Sequence, residues 1–135
     1  ETMKTLIVDD ILENRKLLQD ILKPYGSCDM AADGFEALAF VEAALDEEEP
    51  YNLILLDIMM PKLDGQAALQ RIRALEQQHG CVGTKEAVIF MVTANDSPRE
   101  AASAFFKGYC SDYLTKPILR QTLISKLQEY RLIGS

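Results

Sequence analysis

The side chains with chemical potential in this sequence each stand just after a short apolar run. Asp9 and Asp10 follow Thr5–Val8, Asp57 follows Leu53–Leu56, Thr93 follows Ala87–Val92, and Lys116 lies just beyond Asp112–Leu114. If those runs are parallel strands, their carboxyl ends share one sheet edge, where open α/β sheets bind ligands. Three converging carboxylates repel one another unless a cation or a lysine compensates. An oxygen-rich cluster with few ligands suits Mg²⁺, which keeps several waters and shares oxygens with phosphates. The chemistry such a set supports is in-line attack by Asp57 on a phosphoryl group whose charge the metal and Lys116 offset. Thr93 could then donate a hydrogen bond to a phosphoryl oxygen, and the small Ala94 would leave room for the donor.

Each residue alone has a plainer reading. An Asp after a strand is commonly a cap or turn residue, Asp9-Asp10 could cap a first helix, Thr93 a fourth, and Lys116 could be a surface cation. Their joint placement at four strand ends favours the shared site.

The elements that must position them follow from periodicity. The runs are short and rich in Val, Ile and Leu, as strands buried on both faces are. Cys28–Ala32 is a further strand candidate, and Asp112–Leu114 serves as the fifth. Between them lie helical patterns. One stripe is Leu17, Leu18, Ile21 and Leu22, ending near Pro24; a second, Phe35–Leu45, follows a turn at Asp33-Gly34; a third, Ala67–Leu75, follows Asp64-Gly65. A fourth helix starts around Pro98, and a fifth runs from about Leu119 to Leu132. Five strands alternating with five helices predict a doubly wound parallel sheet with right-handed crossovers. His79–Glu86 reads as a surface loop, and Asp46–Glu49 as a solvated helix end.

Composition narrows the class. The 135 residues suit one domain spanning 1–135, with 48% hydrophobic and 26% charged residues. A net charge of −7 argues against direct nucleic-acid binding. No apolar run approaches the roughly 20 residues of a bilayer span, and no basic n-region is followed by an apolar h-region, so no signal peptide is expected. Cys28, Cys81 and Cys110 include no CxxC pair, so reduced thiols in a cytoplasmic protein are expected.

Taken together, Leu6-Ile-Val-Asp-Asp10, Leu55-Leu-Asp-Ile-Met-Met-Pro-Lys-Leu-Asp-Gly65, Val92-Thr-Ala94 and Tyr113-Leu-Thr-Lys-Pro117 resemble the receiver domain of two-component response regulators. The resemblance covers Met3 to about Leu132. It implies a flavodoxin-like sheet in the order 2-1-3-4-5 and phosphorylation at Asp57. It also implies Mg²⁺ bound by Asp10, Asp57 and the Met59 carbonyl, with Asp9 holding a metal-bound water or acting as a further ligand. Thr93 and Lys116 would contact the phosphoryl group, Thr93 and Tyr113 would form the switch, and the Lys116–Pro117 bond would be cis. The implied partners are a histidine kinase or phosphotransfer protein, and a target docking on the surface of the fourth helix, fifth strand and fifth helix. The protein would be a monomer or a phosphorylation-dependent dimer. An apolar Met59 cannot orient an attacking water, which predicts a long-lived phosphoprotein, with Asn95 the other tuning position.

The sequence departs from the family pattern in two places. His79–Glu86 is longer than the usual connection, and Gly108-Tyr-Cys-Ser-Asp-Tyr113 carries one residue more than the common Gly-Ala-Asp-Asp-Tyr, which bears on the register of the fifth strand. Competing classes fit less well. A haloacid-dehalogenase-like phosphatase needs an acid two residues after its nucleophile, where Ile11 and Leu12 stand. A flavin-binding protein needs a Ser/Thr/Gly phosphate cradle after the first strand. A silent interaction module would not need the intact acids, Thr93 and Lys116. Glu1 and Thr2 precede Met3, which suggests a native start at Met3 and a stand-alone or N-terminal receiver; the alternative is a receiver excised from a larger regulator or hybrid kinase. Phe105 and Phe106 are candidates for the partner face, at least one of them core.

Overall fold

The computed structural model describes residues 2–94 and 109–134. Its elements in chain order are β1 (Met3–Val8), α1 (Leu12–Leu22), β2 (Gly26–Ala31), α2 (Gly34–Asp46), β3 (Leu53–Asp57), α3 (Gly65–Gln78), β4 (Val88–Thr93), β5 (Asp112–Thr115) and α4 (Arg120–Glu129). Here α4 is the last of the five expected helices. The helix expected from Pro98, with Phe105 and Phe106, and the tuning position Asn95 lie outside the described residues.

All strand pairs are parallel, in the order β2-β1-β3-β4-β5, as expected of the doubly wound α/β class. Strand side chains alternate between faces, so each central strand feeds two cores. Leu6, Val8, Ile54, Leu56, Ile89 and Met91 pack with Val41 and Leu45 of α2 and Leu69 and Ile72 of α3. Ile7, Leu53, Leu55, Phe90 and Val92 pack on the other side with Leu18, Ile21 and Leu22 of α1 and Leu123 and Leu127 of α4. β3, central in the sheet, is buried at every residue, and each such aliphatic side chain contributes about 1.5–3 kcal/mol of transfer free energy. That burial makes the end of β3 a rigid platform for Asp57.

Several details differ from the sequence pattern. Leu17 is 51% exposed rather than part of the α1 stripe. Neighbouring helical residues diverge by about 100°, and Leu18, Ile21 and Leu22 already fill the inward face. The two Asp-Gly pairs are helix starts. Asp33 caps α2 by accepting from the Glu36 N–H at 2.9 Å, and Asp64 caps α3 from the Ala67 N–H at 2.8 Å. α3 runs three residues past its predicted end, and the surface connection after it holds a short 3-10 turn at Gly83–Lys85. The extra residue before Tyr113 leaves β5 in register, with Met91 opposite Tyr113 and Thr93 opposite Thr115. The three cysteine thiols are free. Among the described residues, no helix is long and apolar enough to cross a membrane.

Candidate functional site

Four strand ends converge because the register of the sheet aligns them. Asp57 closes β3 opposite Val92, one residue short of Thr93 at the end of β4. The ladder continues past the strands: the Ile58 N–H donates to the Val92 carbonyl at 3.0 Å, and the Lys116 N–H to the Thr93 carbonyl at 2.8 Å. Asp9 follows β1 directly, and its N–H donates to the Ala31 carbonyl of β2 at 3.1 Å.

On that frame the Lys116 Nζ lies 3.0 Å from Asp57 Oδ2 and 3.4 Å from Asp9 Oδ2. The other Asp57 oxygen, Oδ1, accepts from the Met59 N–H at 3.1 Å. Asp9 and Asp57 are buried and Asp10 is exposed. Thr93 is fully buried, and its hydroxyl donates to the Ala94 carbonyl at 3.2 Å. Met59 stands out on the rim, 63% exposed. Tyr113 is half-buried against the core beneath α2 and α3, and the Lys116–Pro117 bond is cis.

The electrostatics are unbalanced. Burial holds the Asp57 carboxyl above the usual carboxylate range, and the charge of Asp9 adds to this, while Lys116 and the Met59 N–H offset only part of it. For Lys116, burial works against the ammonium, but its hydrogen bonds and attraction to Asp57 and Asp9 outweigh burial and raise its pKa. Oxygens from Asp9, Asp10 and Asp57 lie within 4.8 Å of one another. Three formal negative charges, one ammonium, ligands of oxygen only and an exposed Asp10 open to water suit a hard cation such as Mg²⁺.

The sequence pointed to each of these residues, but not to those that hold them. Gly65 starts α3 directly behind Asp57. A Cβ there would collide with the Asp57 carbonyl oxygen and lie 2.7 Å from Ile58 Cα, so only glycine permits this approach. Its N–H donates to the Ile58 carbonyl at 2.9 Å. In the first turn of α1, Asn14 reaches the Asp9 carboxylate, and Arg15 Nη1 donates to the Asp9 carbonyl at 2.7 Å. The available signal for Asn14 was a polar amide one turn after an acidic pair, too common to single out.

A family profile described as the response regulator receiver domain matches residues 5–128. The peroxide stress-activated histidine kinase mak3 of Schizosaccharomyces pombe is 33% identical over 98% of this chain, which corresponds to 5% of the kinase. Among solved structures, the receiver domain of the Saccharomyces cerevisiae response regulator Ssk1, crystallised with the histidine phosphotransfer protein Ypd1, is 32% identical. It covers 96% of this chain and 88% of its own, with a TM-score of 0.78. The receiver domain of the Arabidopsis thaliana histidine kinase CKI1, complexed with Mg²⁺, is 27% identical over 92% of this chain and 90% of its own, with a TM-score of 0.77. The chain spans half or less of the length of the first curated relatives it matches.

Proposed function

This chain belongs to the response regulator receiver domain family of two-component signalling, and from that premise we propose that Asp57 is its phosphoacceptor. The observation that carries the reading is the 3.0 Å contact between Lys116 Nζ and Asp57 Oδ2 inside a cluster of three carboxylates. A carboxylate oxygen of Asp57 attacks phosphorus, the bond from phosphorus to the donor breaks, and an acyl phosphate forms. Lys116 then exchanges part of its contact with Asp57 for the new phosphoryl oxygens, and Thr93 turns its hydroxyl from the Ala94 carbonyl towards them. Asp9, Asp10, Asp57 and the Met59 carbonyl would hold Mg²⁺, which when bound offsets the charge on the transferred group.

The donor is a phosphohistidine on a histidine kinase or phosphotransfer protein, the class of partner with which Ssk1 was crystallised, and the setting is the cytoplasm. Thr93 and Tyr113 form the switch, and a protein target reads β5 and α4 together with the expected fourth helix, which lies outside the described residues, the protein being a monomer or a phosphorylation-dependent dimer. Since several of the matched relatives are much longer than this chain, while others are of similar length, a receiver within a larger regulator or hybrid kinase is the second reading of its output. Met59 lends no polar group to an attacking water, so the phosphorylated state is long-lived. A half-life unchanged in Met59→Asn and Met59→Lys would remove Met59 from that role.

Intact-mass analysis after incubation with acetyl phosphate, with and without Mg²⁺, tests the assignment. The expected result is one Mg²⁺-dependent phosphoryl adduct that is lost in Asp57→Asn. The same adduct in the variant would overturn the site.

A further inference from the structure

We propose that Asn14 is a positioning residue that orients the Asp9 carboxylate and thereby sets how tightly the acid cluster holds Mg²⁺, an inference that rests on the metal-assisted reading above. Asp9 is gripped from the first turn of α1 at three points. The Ile11 N–H donates to Asp9 Oδ1 at 2.8 Å, Asn14 Nδ2 lies 3.5 Å from Oδ1 and 3.3 Å from Oδ2, and Arg15 Nη1 donates to the Asp9 carbonyl at 2.7 Å. Arg15 therefore fixes the main chain, and the Ile11 N–H and Asn14 together hold the side chain.

The need for Asn14 follows from how a carboxylate turns. The last torsion of an Asp side chain is broad and roughly two-fold, so a bond to one oxygen leaves the other free to swing. The Ile11 N–H secures only Oδ1. Oδ2 faces Lys116 at 3.4 Å and so turns towards Asp57. Asn14 sits astride both oxygens and restrains that swing. Its two contacts are at the long edge of hydrogen bonding, which leaves Oδ2 with acceptor capacity for a cation.

The residue type matters as well. The Asn amide donates without adding charge, whereas a Lys at this place would compete with Lys116 and an Asp would add a fourth carboxylate. Beside a carboxylate the amide must present its NH₂, so its orientation follows from chemistry. Partners of metal-ligating groups are typically worth ten- to a hundredfold in metal affinity.

The test is Mg²⁺ titration of the unphosphorylated chain by heteronuclear NMR, comparing wild type, the near-isosteric Asn14→Leu and the smaller Asn14→Ala, each checked for cooperative unfolding. The expected result is a Kd for Mg²⁺ weakened about tenfold in both variants. The rate of phosphorylation by acetyl phosphate should return to that of wild type once Mg²⁺ is saturating, which general damage to the site would not allow. An unchanged Kd overturns the proposal. A tighter Kd overturns it too, because Asn14 would then compete with the cation, and so does a rate that saturating Mg²⁺ fails to restore. Wild type that binds no Mg²⁺ overturns the metal-assisted reading itself, and this inference with it.

Discussion

The two ends of the sheet bury charge in opposite ways. At the amino ends of β4 and β5, Arg73 and Glu76 of α3 form a closed pair. Arg73 Nη1 meets Glu76 Oε1 at 2.8 Å and the Ala87 carbonyl at 2.9 Å, and Arg73 Nε meets the Tyr109 carbonyl at 2.7 Å. Glu76 Oε2 accepts from the Ala87 N–H at 2.7 Å. One cation faces one anion, and both carboxylate oxygens are satisfied. At the carboxyl ends, three carboxylates cluster around one ammonium that reaches two of them, Asp57 and Asp9, and burial holds Asp57 above its ordinary pKa. The closed pair ties α3 to β4 and to the approach to β5, whereas the open cluster keeps an excess of negative charge, which is what the proposed cation and phosphoryl site requires.

The largest test of that contrast breaks the closed pair. Arg73→Ala leaves Glu76 buried without its partner and is expected to cost about 3–5 kcal/mol, read from urea unfolding. A cost near that of a surface substitution would show that the pair is not a structural clamp. Filling the open cluster comes next. Mg²⁺ at a hundred times its Kd should stabilise the fold by about 2.7 kcal/mol, read as a rise in Tm, and the rise should vanish on chelation. Mg²⁺ should leave the unfolding penalty of Arg73→Ala unchanged, because the two ends share no partners.

A smaller effect runs against intuition. Without metal, Asp57→Asn should raise the unfolding free energy by about 1 kcal/mol at neutral pH while abolishing phosphorylation, since function maintains this local destabilisation. The smallest effect is in the pH dependence. A carboxyl whose folded pKa is raised binds more protons folded than unfolded, so stability falls as pH rises through that folded pKa. Asp112, at the amino end of β5, has the opposite sign. Burial works against its ionisation, but the bonds from Lys126, the Tyr113 N–H and the Tyr130 hydroxyl outweigh burial and lower its pKa. Its contribution is present above the unfolded pKa and is lost as pH falls through the folded one. Metal-free pH titrations of stability in Asp57→Asn and Asp112→Asn should therefore differ from wild type with opposite slopes.

Local pattern determined much of this protein. Short Val-, Ile- and Leu-rich runs alternating with amphipathic stretches can satisfy their backbones and hide their apolar faces only as a parallel sheet wrapped by helices. Such a sheet brings whatever follows each strand to one edge, so Asp9, Asp10, Asp57, Thr93 and Lys116 were readable as a group from position alone. What only the tertiary structure decided are contacts between elements whose partners are far apart or unremarkable in sequence. Gly65 looked like a turn residue until its Cα was seen pressed behind Asp57. Leu17 looked like core until the inward face of α1 proved already full. Arg73 and Glu76 carried no periodic signal for burial, because a charge is hidden only where a specific partner meets it, and here those partners are Ala87 and Tyr109 on other segments. Asn14 belongs with them, since its role depends on the 3.3 Å between its amide and one oxygen of Asp9, a distance that only packing α1 onto the sheet creates.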